Sequence, residues 1–144
     1  MYIALYNTSS IQRLVDFVKI VCSFRETIPV IIKPIGAAAQ IGVPEAYKII
    51  HRANRPLIVL SEITDLHSVL GVDEVYYIDI KGLKKSIRDI SPTSSVAIVI
   101  NSGESEPSKK ELEKTNIVYF EEIPFELPSL ALTSILLYLL TKSF

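Results

Sequence analysis

Six short apolar runs, each closed by polar or small residues, constrain this chain more than any other feature. They are Tyr2–Tyr6, Ile28–Ile32, Leu57–Leu60, Val75–Ile78, Val96–Ile100 and Ile117–Phe120. Within each run apolar residues follow one another instead of alternating with polar ones, so both faces of such a strand must be covered. Segments of helical character lie between them. From Asn7 the polar group Asn7-Thr8-Ser9-Ser10 can cap a helix through Val21, in which Ile11, Leu14, Val15, Val18 and Val21 share one side. Pro44-Glu45 reads as the start of a helix reaching about Ala53, with proline at its first position and an acid favoured by the dipole. Ser61 or Thr64 can cap a short helix ending near Leu70-Gly71. The spacing of Lys81, Lys84, Lys85 and Arg88 predicts a basic helix over Lys81–Ile90. Ser108–Lys114 reads as a short charged helix, and a last helix starts at Pro128.

Strands alternating with helices in this way predict an α/β fold: one domain over residues 1–144, a parallel sheet covered by helices. In such sheets ligands bind beyond the carboxyl ends of the strands. The loops beginning at Asn7, Lys33, Ser61, Asp79, Asn101 and Glu121 are therefore the candidate site.

Composition excludes several classes. The 144 residues are 49% hydrophobic with a formal net charge of −1, so disorder is excluded and no global basic footprint for nucleic acid exists. One cysteine, Cys22, excludes an internal disulfide framework, and with His51 and His67 far apart it forms no zinc pattern. Reduced cysteine and the lack of a basic leader before Met1–Tyr6 lead to the expectation of a cytoplasmic protein. The uncharged run Leu127–Leu140 is 14 residues long, short of the roughly 20 needed to cross a bilayer, so no membrane partner is expected. Isoleucine-rich strands with many Lys and Glu and few Cys and Met lean toward a thermophile.

The first strand runs into Asn7-Thr8-Ser9-Ser10 and not into a glycine-rich turn, which excludes the Rossmann and P-loop fingerprints. Ser102 lacks a nucleophile elbow, and His51 and His67 read as surface or boundary residues. Glu104, Glu106, Glu121, Glu122 and Glu126 with Asp79 are carboxylates of the kind a divalent cation needs. No Asp…Glu-x-Lys arrangement on adjacent strands accompanies them, so they read first as a solvated acidic rim and no metal ligand is assigned. Lys81, Lys84, Lys85 and Arg88 are placed to grip a phosphate backbone or simply to face water.

The order of strand, polar turn, charged helix, strand, Ile-Pro and apolar helix resembles the SpoU branch of the SPOUT superfamily, RNA methyltransferases that use S-adenosylmethionine. Val99-Ile100-Asn101-Ser102-Gly103-Glu104 echoes the family's strand and Gly-Ser-Glu-Gly turn, and Ile123-Pro124-Phe125 its Ile-Pro-Met step. Ser129-Leu130-Ala131-Leu132 resembles its Ser-Leu-Asn-Val helix start, with Ala131 in place of Asn. Asn7 and Arg13 keep the spacing of the family's Asn and catalytic Arg. Within the branch the chain resembles an uncharacterised archaeal group, some of whose members carry a RecB-family nuclease label that no motif here supports.

The resemblance implies a C-terminal trefoil knot and S-adenosylmethionine held by Ile78, Asn101, Ser102, Gly103, Glu104, Ile123, Phe125 and Leu130. It also implies catalysis of ribose 2′-O-methylation of rRNA or tRNA by Arg13 with Asn7 orienting it, and a homodimer through the C-terminal helix. The alternative is a non-catalytic SPOUT-like dimer that binds a ligand or partner; a metal-dependent nuclease is the third reading.

Overall fold

A computed structural model describes residues 1–142. The six apolar runs form one sheet: β1 (Tyr2–Tyr6), β2 (Ile28–Ile32), β3 (Ile58–Leu60), β4 (Glu74–Lys85), β5 (Val96–Asn101) and β6 (Asn116–Phe120). Its order is β3-β2-β1-β5-β4-β6 and every pairing is parallel, as the unalternated runs require. The α/β expectation holds.

Neighbouring residues along a strand point to opposite faces, so the runs build two cores. Ile3, Leu5, Ile98 and Ile100 face one side, where α1 (Ile11–Cys22), α2 (Val43–Arg52) and α4 (Ser129–Thr141) cover them. Ala4, Tyr6, Val30, Val75, Tyr77, Ala97 and Val99 face the other, with Leu66 of the short α3 (Asp65–Ser68). α1 forms where its cap is supplied: the Ser10 hydroxyl accepts from the Arg13 N–H at 3.1 Å. It ends against Arg55, whose guanidinium donates to the carbonyls of Cys22, Phe24 and Thr27 at 2.7, 3.2 and 2.7 Å. α2 is entered through one π-helical turn, Ala38–Gly42.

Two sequence expectations are corrected. Lys81–Ile90 is not a basic helix. β4 pairs with β6 up to Ile78–Val118, and the chain then returns to the same residue, Leu83 pairing with Val118, Lys84 with Tyr119 and Lys85 with Phe120. The register therefore shifts between Ile78 and Leu83, with residues 79–82 left outside the pairing. Gly82 lies so close to the Ile117–Val118 backbone that a Cβ would collide with the Ile117 carbonyl. A single 3-10 turn, Ile87–Asp89, follows, closed by a capping box between Ser86 and Asp89. The basic side chains therefore share no helical face: Lys84 sits 3.9 Å from Glu121, and Lys85 lies over the Tyr76 ring.

Ser108–Lys114 is a series of turns, with Leu112 N–H on the Ser108 carbonyl and Thr115 N–H on that of Leu112. Side-chain bonds hold these turns, the Ser108 hydroxyl accepting from the Glu111 N–H at 3.2 Å and the Thr115 hydroxyl donating to the Leu112 carbonyl at 2.8 Å.

The uncharged helix α4 buries Thr133, Leu136, Leu137 and Leu140, and Leu130, Leu132, Ile135 and Leu139 pack half-buried against the same core. Much of its apolar surface is thus covered within one chain, leaving Tyr138 exposed. Among the described residues no helix is long and apolar enough to cross a membrane.

Candidate functional site

The register brings the strand ends level. Tyr6 pairs with Ile32 on one side and Asn101 on the other, and Ile32 with Leu60. The loops that follow them therefore emerge on one edge of the sheet. β2 and β3 lie to one side of β1 and β5, β4 and β6 to the other, so the edge above β1 and β5 is the place where a crevice forms in such folds.

Asn7 holds this edge together. Its backbone is left-handed, with φ at 60°, a conformation asparagine tolerates better than most residues. Its N–H donates to the Ile32 carbonyl at 2.8 Å and its amide to the Lys33 carbonyl at 3.2 Å. Its own carbonyl accepts from the Ser102 hydroxyl at 2.9 Å, and its side-chain oxygen from the Ser105 hydroxyl. Asn101 shapes the turn beyond β5: its side-chain oxygen accepts from Gly103 N–H at 2.6 Å, and its amide donates to Tyr77 and to the Ser105 carbonyl at 2.9 Å each. Gly103, with φ at 98°, meets the backbone demand of that turn.

Two ion pairs lie over this framework. The Glu104 carboxylate accepts from the Ser9 N–H at 2.8 Å and from the Ser9 hydroxyl, with the Arg13 guanidinium 3.8 Å away. The Glu111 carboxylate accepts from the Tyr6 hydroxyl at 2.6 Å, with Lys33 at 3.7 Å. Burial, and then the bond to Glu111 and its charge, push the Tyr6 phenol well above its ordinary pKa, so it stays a donor. Burial also raises Tyr77, although the bond from Asn101 works the other way.

A second feature adjoins this edge. A cavity of about 260 Å³ beside the middle of β4 and the carboxyl end of β6 is walled by Ile78, Tyr119, Ile123 and Phe125, with Asp79 and Asn101 among its polar groups. Tyr119 and Phe125 meet edge to face at 5.3 Å.

Of the sequence-selected residues, Ile78, Asn101, Ile123 and Phe125 line this cavity, while Gly103 and Glu104 line the adjoining groove. Ser102 is buried beneath Asn7, and Leu130 packs half-buried against the core. Asn7 and Arg13 stand at the two ends of the same loop–helix junction but bond to different partners. Ser9, Ser105, Tyr6 and Glu111 were not singled out by sequence, and Lys33 only as the start of a loop. Lys33, directly after a strand, carried a usable signal; Glu111 carried none.

An open parallel α/β sheet covered by helices is also the fold of SpoU-type methyltransferases. A structure described as "Structural insights into the 2-OH methylation of C/U34 on tRNA" superposes with a TM-score of 0.73 at 10% identity, covering 99% of this chain and 94% of that one. The SpoU methyltransferase AviRb from Streptomyces viridochromogenes gives 0.71 at 8% identity, over 98% of this chain and 58% of the other. Likeness at such identity shows the fold alone.

By family, the chain belongs to the RecB-family nuclease (DUF2122) family, whose model matches residues 36–139. Two relatives, from Aeropyrum pernix and Methanocaldococcus jannaschii, both named "Putative type II restriction enzyme", are each 29% identical. The first match covers 96% of this chain and 90% of the relative, the second 99% and 97%. These matches overturn the expectation of a SpoU-type RNA methyltransferase. S-adenosylmethionine as its cofactor falls with it, since only the distant fold likeness carries it. The nuclease label that the sequence motifs left unsupported is the family's own.

Nucleases commonly hold divalent cations between clustered carboxylates. Asp79, Glu104 and Glu106 line one open groove here, yet among the described residues no three His, Cys, Asp or Glu side chains converge to hold a metal ion. Glu104 is turned instead to Ser9 and Arg13. The donor set does not fit such a centre.

Proposed function

We propose that this chain acts on nucleic acid, engaging the phosphodiester backbone at the edge above β1, β2 and β5. Membership of a nuclease family supplies the class of substrate. The observation that carries the location is the convergence there of Arg13, Lys33 and the Ser9 N–H and hydroxyl on two carboxylates. A phosphate presents the same kind of oxygen acceptors, and Arg and Lys answer it as a planar fork and a point charge. With a net charge of −1 the chain has no general attraction for polyanions, so binding depends on these local cations.

The names of the two curated relatives favour duplex DNA as the substrate. The test is a polarisation titration of labelled duplex DNA, with single strands and RNA as comparisons, against wild type and an Arg13→Ala, Lys33→Ala double variant. The double variant is expected to bind roughly tenfold more weakly at low salt, two phosphate contacts having been lost. Equal affinity of both proteins for every nucleic acid, or none, overturns the reading.

A further inference from the structure

The segment from Ser102 to Glu111, between β5 and the turns before β6, is fastened to the strand ends almost entirely through polar side chains. Ser102 and Ser105 bond to Asn7, Glu104 to Ser9 and Arg13, and Glu111 to Tyr6 and Lys33. It has no regular secondary structure, and Gly103 to Glu106 are exposed. Two of its three carboxylates, Glu104 and Glu111, thus occupy the donors and cations that the proposed function gives to nucleic acid.

We propose that this segment is an acidic strap, an intramolecular mimic of the phosphate backbone that a polyanion must displace. The inference rests on the proposed function and adds a regulation of the same site. The Glu104 carboxylate accepts from the Ser9 N–H and hydroxyl beside the charge of Arg13, as a backbone phosphate would; that of Glu111 accepts from the Tyr6 hydroxyl beside the charge of Lys33. Magnitudes favour exchange. Both ion pairs are partly open to water, with side-chain exposures of 37% and 28% for Arg13 and Glu104 and 48% and 25% for Lys33 and Glu111. Pairs of that kind contribute little stability and are weakened further by salt. A duplex, by contrast, gains from counterion release at every phosphate neutralised. The strap also carries no buried apolar side chain, and segments of that kind open first. A weak anion would leave the strap in place, and a polyanion long enough to meet Arg13 and Lys33 together would displace it. The strap thereby selects against isolated phosphate.

Two measurements test this. In the first, labelled duplex DNA is titrated at several salt concentrations against wild type, Glu104→Gln, Glu111→Gln and the double variant. The strap model expects the double variant to bind about tenfold more tightly at low salt, since two competing charges are gone. It also expects a steeper dependence of log affinity on log salt, by up to about one unit per carboxylate, because a freed carboxylate takes up cations that the duplex releases. Unchanged or weaker binding by the double variant, with wild type still binding, overturns the strap and leaves the proposed function standing. Absence of binding by all four proteins overturns both. In the second, hydrogen exchange is followed in wild type alone, so that it does not depend on how a variant folds. Amides of residues 102–111 should exchange faster when the duplex is added and stay unchanged with inorganic phosphate. Slower exchange there means the segment is covered by the ligand instead of released, which contradicts the model.

Discussion

Gly82 shows how one residue can decide the course of a chain. It lies in the register shift between β4 and β6, and a Cβ would run into the Ile117 carbonyl, a backbone atom that cannot swing aside. Gly82→Ala should therefore cost roughly 1–3 kcal/mol, the usual range for forcing an extra carbon into a filled space. A urea midpoint equal to that of wild type would show that the approach of Gly82 to the Ile117–Val118 backbone is looser than described. Asn7 is decisive in a different way, because its left-handed backbone and four hydrogen bonds join β1, β2 and β5 at one point. That role was invisible in sequence, where Asn7 stood out for its spacing to Arg13. Spacing identified a residue that matters at the strand end, but its partners, Lys33 and Ser105, come from loops far along the chain.

The elements divide into those set by local pattern and those set by distant partners. All six apolar runs are strands because nothing but a sheet covered on both faces removes them from water. The two segments that differ from their helical pattern do so for identifiable reasons. Lys81, Lys84 and Lys85 have helical spacing, yet Lys84 and Lys85 are strand because Tyr119 and Phe120 pair with them. The 3-10 turn that follows is held by Glu122, whose carboxylate accepts from the Ser86 hydroxyl and the Ile87 N–H at 2.6 and 3.0 Å. Desolvation works to raise the Glu122 pKa, but these bonds to its charged form outweigh it and the pKa is lowered. A lowered carboxylate stabilises the fold above its unfolded pKa of about 4.3. That contribution is lost as pH falls through the lower, folded value. Glu122→Gln should thus be less stable than wild type at neutral pH, by no more than about 1 kcal/mol for so exposed a group. The difference should close in the acid range below about pH 4, as paired urea titrations would register; a gap that persists there would point to another cause. The second segment, Ser108–Lys114, takes its shape from turns in which the Ser108 and Thr115 side chains bond the local backbone in place of helical bonds. In α4, Leu136 is fully buried, and Leu136→Ala is expected to lower stability by roughly 2–5 kcal/mol. A loss below about 1 kcal/mol in thermal or urea unfolding would contradict its core position.

At the scale of the whole molecule, the fold was legible and the activity was not. Strand–turn echoes such as Val99–Glu104 and Ile123–Phe125 report where backbone approaches the edge of the sheet, which is a property of the fold. They led to the SpoU architecture, which the superpositions bear out, and to its chemistry, which the family match overturns. The candidate site was half visible. Asn7 and Ser102 to Glu104 follow directly on strands, whereas Tyr6 and Lys33 come together because the parallel register levels β1 with β2, and Glu111 reaches them from the turns before β6. The central claim is that nucleic acid meets the chain at this edge. Backbone amide shifts recorded while a short DNA duplex is added test it most directly. The account predicts perturbations concentrated at residues 7–13, 33–37 and 101–111; shifts confined to the exposed face of α4 around Tyr138, with the strand ends silent, would contradict it.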